Sequence, residues 1–263
     1  MKKRKRIIIL SSVLFAVVLI VVLSSTLFAL SSVGVEYRTT TAYLNLYSTD
    51  DIVSAGEFGF GQNIFFVDFD ESVDRIEKQF PYIKVVNVER KFPNMAVVHI
   101  AERVPVIRLY RSAFECLVLD NELKALNIVR DENGYIAETY ESQVPVFSVA
   151  SDFDFAIDTN IGLGEKIVNE KLQEYVDAFY RGVYAYEKSS VSIIESIELG
   201  YQADLACVKF FVKFRNSDIV ATINSDNDLQ EVVRKVVATF VQKGNSYQSI
   251  YTTIDGYVTG VER

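Results

Sequence analysis

The sequence predicts an α+β protein: an N-terminal transmembrane helix, a compact β-α-α-β-β domain, and a second mixed α+β domain with a mostly antiparallel sheet. Three observations carry this. Residues 7–30, IIILSSVLFAVVLIVVLSSTLFAL, are 24 consecutive uncharged residues directly after MKKRKR. Segments near residues 69–80, 168–183 and 229–240 repeat apolar residues at helical spacing. Between them lie short runs rich in Val, Ile, Tyr and Thr, bounded by turn residues, which read as strands.

The apolar stretch exceeds the ~20 residues that cross a ~30 Å hydrocarbon core as a helix. Its Ser and Thr hydroxyls can bond back to helix carbonyls. It is longer than the ~7–15-residue core of a cleaved signal peptide, and no A-x-A cleavage pattern follows it, so an uncleaved anchor is expected. The positive-inside rule places residues 1–6 in the cytoplasm and everything from residue 31 outside the membrane. The formal net charge is −8. Setting aside the five basic residues Lys2 to Arg6 leaves 22 Lys and Arg against 35 Asp and Glu, a net of −13 for the remainder. Such a surface repels phosphates, so no nucleic-acid partner is expected.

Residues 31–103 are read as the first outer domain. A strand-like lead-in covers residues 33–46. Ser48, Thr49, Asp50 and Asp51 open a helix, with Ser48 as its cap and two carboxylates in the first turn. Gly56, Gly59 and Gly61 end it. A second helix from Phe69 to Phe80 places Phe69, Val73, Ile76 and Phe80 on one stripe and stops at Pro81. A strand over residues 83–90, a turn at Phe92-Pro93-Asn94 and a returning strand over 95–101 complete the unit.

Residues 104–263 form the second domain. Strands are expected at 104–109, 114–119, 123–128 and 143–149. A helix follows, with Val168, Leu172, Tyr175, Val176, Phe179 and Val183 on one face. Further strands are expected at 193–199, 205–214 and 218–223. Asp226 or Asn227 caps a last helix whose stripe is Leu229, Val232, Val233, Val236, Val237 and Phe240, with Gly244 at its C-terminal cap. Two closing strands cover 247–254 and 257–261.

Several of these residues follow one another in a known order. Gly61-Gln-Asn63-Ile-Phe65-Phe-Val-Asp68, Phe80-Pro81-Tyr-Ile-Lys84, Val88-Glu-Arg-Lys-Phe92-Pro93-Asn94 and Ala101-Glu102-Arg103-Val-Pro-Val106 together resemble the FtsQ-type POTRA domain of bacterial cell-division proteins, the FtsQ/DivIB family. Cys116-Leu-Val-Leu-Asp120 and Val144-Pro-Val-Phe147 are similar to strand motifs of that family's second, β-rich domain, and the final helix, Tyr-rich strand and Ile254-Asp255 also fit. The resemblance implies a divisome scaffold in the cell membrane, located at the septum. It implies no catalytic activity and no cofactor. It further implies binding, outside the membrane, to FtsL-like and FtsB/DivIC-like bitopic coiled-coil partners, and thereby control of the septal peptidoglycan synthase. The alternative use of such a module is as an accessory in polypeptide export or surface assembly, which usually involves several units in tandem and a long β-barrel.

The residues themselves are compatible with a binding module. The single histidine, His99, lies on the strand 95–101. Periodicity alone fits either face, but the packing of a β-α-α-β-β unit and the family pattern put Ala96, Val98 and Ile100 inside, so His99 is expected to be solvated. The acidic pairs Asp50-Asp51, Asp70-Glu71 (beside Asp68) and Asp152 with Asp154 read as helix caps and solvated faces rather than a glycosidase pair. Cys116 and Cys207, set among Leu, Val and Ala, read as buried thiols. The closing segment is the candidate docking site. A strand that ends a domain is often a sheet edge that an incoming strand can extend, and Tyr247, Tyr251 and Tyr257 are anchors of the kind interfaces use. The candidate residues are Tyr247, Tyr251, Thr253, Asp255, Tyr257 and Val258, with strand addition along residues 251–258; the alternative is that the tyrosines pack the core. The first domain offers an edge of its own, at residues 43–46 or at 95–101.

Overall fold

The computed structural model describes residues 2–38, 47–130, 143–151, 153–186, 192–202, 207–224, 228–253 and 255–262. Within these, the side chains of residues 2–10, 20, 23, 24, 202 and 245 are not described. The chain divides into two compact units, Met1–Arg103 and Val104–Arg263.

The first unit opens with helix α1 (Lys2–Leu27), followed by β1 (Ser32–Tyr37), α2 (Thr49–Gly56), α3 (Phe69–Gln79), β2 (Ile83–Lys91) and β3 (Met95–Glu102). Among the described residues no helix is long and apolar enough to cross a membrane. The 26 residues of α1 would extend about 39 Å at 1.5 Å per residue.

Each short helix is set by its ends. Ser48 and Asp51 form a reciprocal capping box at α2: the Ser48 hydroxyl accepts from the Asp51 N–H (3.1 Å), and the Ser48 N–H donates to the Asp51 carboxylate (3.3 Å). Gly56 is the last helical residue, and the left-handed turn after it falls on Glu57 (φ 45°) rather than on a glycine. Arg75 compensates at that end, donating from Nε and Nη2 to the Gly56 carbonyl at 3.2 and 3.0 Å. Asp68 caps α3 through the Asp70 N–H. The stripe Phe69, Ile76 and Phe80 is buried against Ala96, Val98 and Ile100 in one core.

The three strands lie in the order β1-β3-β2, with β1 parallel and β2 antiparallel to β3. This corrects two expectations. The strand at 95–101 is central, so it offers no free edge; the β2–β3 hairpin occupies one side and β1 the other. The remaining candidate edge, residues 43–46, lies outside the described residues. His99 is not solvated but 7% exposed. On a central strand of a narrow sheet, neighbours from both sides close over the outer face. Glu36 of β1 stands 3.4 Å from its Nδ1 and Glu89 of β2 stands 3.1 Å from its Nε2.

The second unit contains β4 (Ile107–Ser112), β5 (Glu115–Leu119), β6 (Ala125–Arg130), β7 (Val146–Val149), α4 (Glu170–Tyr186), β8 (Ile194–Gln202), β9 (Cys207–Phe214), β10 (Val220–Asn224), α5 (Leu229–Lys243), β11 (Tyr247–Thr252) and β12 (Val258–Glu262). They make one nine-stranded sheet, β12-β11-β10-β9-β8-β7-β4-β5-β6. Its parallel joins are β4–β7, β7–β8 and β10–β11, and the other neighbours are antiparallel. Parallel neighbours need a crossover connection, usually a helix, and α4 and α5 supply two of them. Both crossovers step the same way across the sheet from strands that run in the same direction. With one handedness they must therefore cover the same face. Accordingly α4 and α5 share a core with the sheet, built on Phe147, Phe179, Phe210, Phe214 and Val233.

Element ends differ from the sequence reading for local reasons. α4 starts at Glu170, where Asn169 accepts from the Leu172 N–H at 2.9 Å. Val168 is therefore outside the helix and 96% exposed, not part of its apolar stripe. The cap of α5 is Asp228, whose carboxylate accepts from the Glu231 N–H; Asp226 and Asn227 lie outside the described residues, as does Asp152. Gly244 is the C-cap of α5 but stays right-handed (φ −52°) and runs on into a 3-10 turn, Gly244–Ser246. Pro105 and Pro145 delay the starts of β4 and β7, since proline cannot donate to the ladder. Cys116 and Cys207 are buried and not disulfide-bonded, on β5 and β9, strands that are not neighbours.

α4 and α5 approach closely at Gly182, where an added Cβ would stand 2.6 Å from the Gln230 carbonyl oxygen. Gly182→Ala is expected to lower stability by about 1–3 kcal/mol through overpacking, outweighing a helix-propensity gain of about 1 kcal/mol. Thermal unfolding checks this; an unchanged or higher midpoint would show that α4 and α5 can part without cost.

Candidate partner-binding site

The nine-stranded sheet has two edges, and they differ. β6 begins under cover: the Ala125 N–H donates to the Glu165 carbonyl, and the Gly164 N–H donates to the Ala125 carbonyl, both at 2.8 Å. A bridge joins Lys124 and Lys166 beside it. β12 pairs with β11 on one side and, among the described residues, has no strand on the other. Its outward N–H and C=O groups are the kind that an added strand can pair with.

The predicted residues group around this hairpin in unequal roles. β11 lies between β10 and β12, so Tyr247 and Tyr251 stand on an already paired strand, and the free edge is Val258–Glu262 rather than 251–258. Tyr247 lies flat over Gly260, where an added Cβ would meet its ring at 2.5 Å. It packs partly against the core, as does Val258. Tyr251 sits opposite Thr259 and keeps much of its ring exposed. Thr253 closes the hairpin: its N–H donates to the Tyr257 carbonyl (2.9 Å) and its hydroxyl accepts from the Tyr257 N–H (3.1 Å). The Gly256 N–H donates to the Thr253 carbonyl (3.0 Å), and Gly256 takes the left-handed conformation the turn needs (φ 76°). Asp255 is exposed in that turn. Tyr257, 72% exposed, stands at the mouth of β12. Tyr247 is thus a packing residue, whereas Tyr257 presents its ring to solvent.

The motif residues of the first unit fall into two groups. Gly61, Asn63, Phe65, Phe92, Pro93 and Asn94 surround the segment leaving α1. Gly61, left-handed at φ 83°, donates its N–H to the Leu30 carbonyl. Asn63 bridges to Ala29, and its side chain accepts from the Phe65 N–H. The Phe65 ring stacks on Phe92 at 5.0 Å, and the Asn94 carbonyl accepts from the Ser31 N–H. Phe92 and Pro93 are joined by a cis peptide bond. Pro81, Glu102 and Arg103 sit instead where α3 meets β2. Pro81 follows the C-cap Phe80, Glu102 pairs with Ile83, and buried Arg103 donates to the Ile83 carbonyl (3.3 Å) and to Glu77 (2.8 Å). Glu77 also accepts from the Val85 N–H (2.9 Å), at the point where the β2–β3 register shifts. Glu77 lies off the apolar stripe of α3, so periodicity gave no sign of this role. It gave none for Gly260 either.

Of the acidic residues expected at helix starts, Asp51 caps α2 together with Ser48 and Asp68 caps α3. Among the described residues no group of three or more His, Cys, Asp or Glu side chains is placed to hold a metal ion.

Residues 43–103 match the family model for the POTRA domain, FtsQ-type. No curated protein sequence matches the chain. The family match supports the FtsQ/DivIB resemblance drawn from the motifs, and a domain of this type points to a cell-division scaffold.

Arg103→Ala is expected to destabilise the first unit by about 3–5 kcal/mol, because it leaves Glu77 without its buried partner. Replacing both residues with apolar ones of similar volume should recover much of the loss. Urea unfolding measures both, and a single-variant cost near zero would show the pair to be idle.

Proposed function

We propose that this chain, which carries an FtsQ-type POTRA domain at residues 43–103, is a membrane-anchored, non-enzymatic scaffold of the bacterial division machinery. Residues 1–6 form its cytoplasmic tail and 7–27 its transmembrane helix, shorter than the expected 7–30 because α1 ends at Leu27 and Leu30 is buried in the first core; residues 28–103 form the POTRA unit and 104–263 the β-rich domain. The helical backbone of α1 and the uncharged run behind MKKRKR support the anchor. The protein acts at the septum, outside the cell membrane. There it binds FtsL-like and FtsB/DivIC-like bitopic partners and through them controls septal peptidoglycan synthesis.

The observation that carries the reading is the FtsQ-type POTRA match, and the docking mode is supported by the edge of β12, which among the described residues pairs with no strand beyond β11. A partner segment entering as an extended strand would continue a nine-stranded sheet and gain main-chain hydrogen bonds along Val258–Glu262. Tyr257 and Tyr251 would give it side-chain anchors at one end. The core beneath is already complete, with Ile250 fully buried, so docking needs no refolding of the platform.

Proline at Val261 and, separately, at Glu262, both exposed on β12, tests the mode. Successive residues of a strand turn their N–H groups to opposite sides, so one of the two variants removes an outward donor and spares the β11 ladder. That variant should stay folded yet bind the partners' outer segments at least tenfold more weakly, and Tyr257→Ala should cost about 1–2 kcal/mol of binding. Full binding by both proline variants, in proteins with unchanged thermal midpoints, would remove strand addition at β12.

A further inference from the structure

The segment between α1 and the first sheet is not a free linker. α1 ends at Leu27 and β1 begins at Ser32. The four residues between them are held by backbone bonds: Ile64 N–H to the Phe28 carbonyl (2.8 Å), Leu30 N–H to the Gln62 carbonyl (2.8 Å), Gly61 N–H to the Leu30 carbonyl (2.9 Å) and Ser31 N–H to the Asn94 carbonyl (2.8 Å). Leu30 itself is buried in the core. Two loops therefore lie directly beside the end of α1.

Both loops are apolar at the surface. Residues 58–67, FGFGQNIFFV, contain no ionisable side chain, and neither does the turn 92–94, FPN, that leads into β3. Ile64 takes the core position, which turns Phe65 and Phe66 outward. Phe66 is 84% exposed, and Phe60, Phe65 and Phe92 are each more than half exposed. The rings are clustered: Phe28 to Phe65 is 5.2 Å, Phe65 to Phe92 5.0 Å and Phe28 to Phe92 6.4 Å between centroids. The turn that presents them is fixed from behind. Phe66 N–H donates to the Asn63 carbonyl, and Arg90 donates to the carbonyls of Ile64 (3.0 Å) and Val67 (3.2 Å), bracketing the two rings. A rigid, uncharged patch of exposed aromatics marks an interaction surface.

Its position selects the partner. Counted from Ile7, the ~20 residues needed to span the hydrocarbon core end near Thr26. Phe28 then falls in the headgroup layer, about 5–7 Å deep on each side, and the rings of Phe65 and Phe92 lie at its level. Aromatic rings favour that layer. We propose that Phe28, Phe65, Phe66 and Phe92 form a lipid-docking face that seats the POTRA domain in the outer headgroup–acyl boundary, so that α1 and this domain enter the bilayer surface as one piece. The contact is apolar, which suits an outer region whose net charge would repel anionic lipid.

The proposal rests on the reading of α1 as a membrane anchor, and the test separates the two. The chain has no tryptophan, so each single substitution is a sole reporter. The full chain is placed in phosphatidylcholine nanodiscs with and without brominated acyl chains, carrying F66W, F92W, F15W within α1, or Y37W. Tyr37, at the far end of β1, is about 17 Å along the strand from Ser32 at 3.3 Å per residue. F66W and F92W should emit to the blue of Y37W and lose severalfold more emission to bromolipid, with F15W also quenched. Quenching of F15W without F66W and F92W would overturn the docking face and leave the anchor standing; rings reserved for a protein partner would give this result. Equal quenching of Y37W would overturn the choice of face. No quenching of F15W would bring down the anchor and the docking face together.

Discussion

Four backbone hydrogen bonds on residues 28–31 govern the first unit. They deliver the chain from α1 straight into β1, in register beside β3. Once β1 is there, β3 becomes the middle strand. Its inner face carries Ala96, Val98 and Ile100 into the helical core, and its outer face is roofed by β1 and β2, which encloses His99 between Glu36 and Glu89. The motif residues Gly61, Asn63 and Asn94 serve this junction through their backbones and short side chains, which approach the Leu30 segment closely. Without it β1 would have no fixed register, because a three-stranded sheet with a parallel member gains little from the pairing alone.

In the second unit the comparable constraint is the pair of helical crossovers. Joining β7 to β8 through α4 and β10 to β11 through α5 places both helices on one face. Gly182 lets them approach to backbone contact. This arrangement also sets the end of the sheet. β11 arrives parallel to β10, and the Thr253–Gly256 turn returns the chain as β12 on the outside, where the sheet stops. The other end is partly covered by the loop before α4, so the two edges are chemically unlike. The Thr253–Tyr257 bonds fix where β12 begins.

Local chemistry made much of this legible. Ser48 with Asp51, Asp68 at the head of α3, and the stripe Phe69, Ile76 and Phe80 are statements about neighbours three or four residues apart, and they hold in the structure. The same is true of Leu172, Tyr175, Val176, Phe179 and Val183 on α4. Errors fell where a boundary depends on a single hydrogen bond, as at Asn169 and Asp228, each of which moved a helix start past the residue first favoured. They also fell where the alternation of a strand says which residues share a face but not whether that face is open. His99 is the plainest case.

The amino-acid sequence alone determined the periodicities, the caps of α2 and α3, the uncharged N-terminal stretch and the ordered motifs that the family match bears out, because each depends on spacing along one chain. Only the tertiary structure decided which strand is central, which edge is open, and that Tyr247 packs over Gly260 while Tyr257 stands exposed. It alone gathered Phe28, Phe65 and Phe92, residues up to 64 positions apart in the chain, into one cluster at the end of α1. Those properties belong to strand order and loop approach, set by hydrogen bonds between segments remote in sequence, which no local pattern encodes.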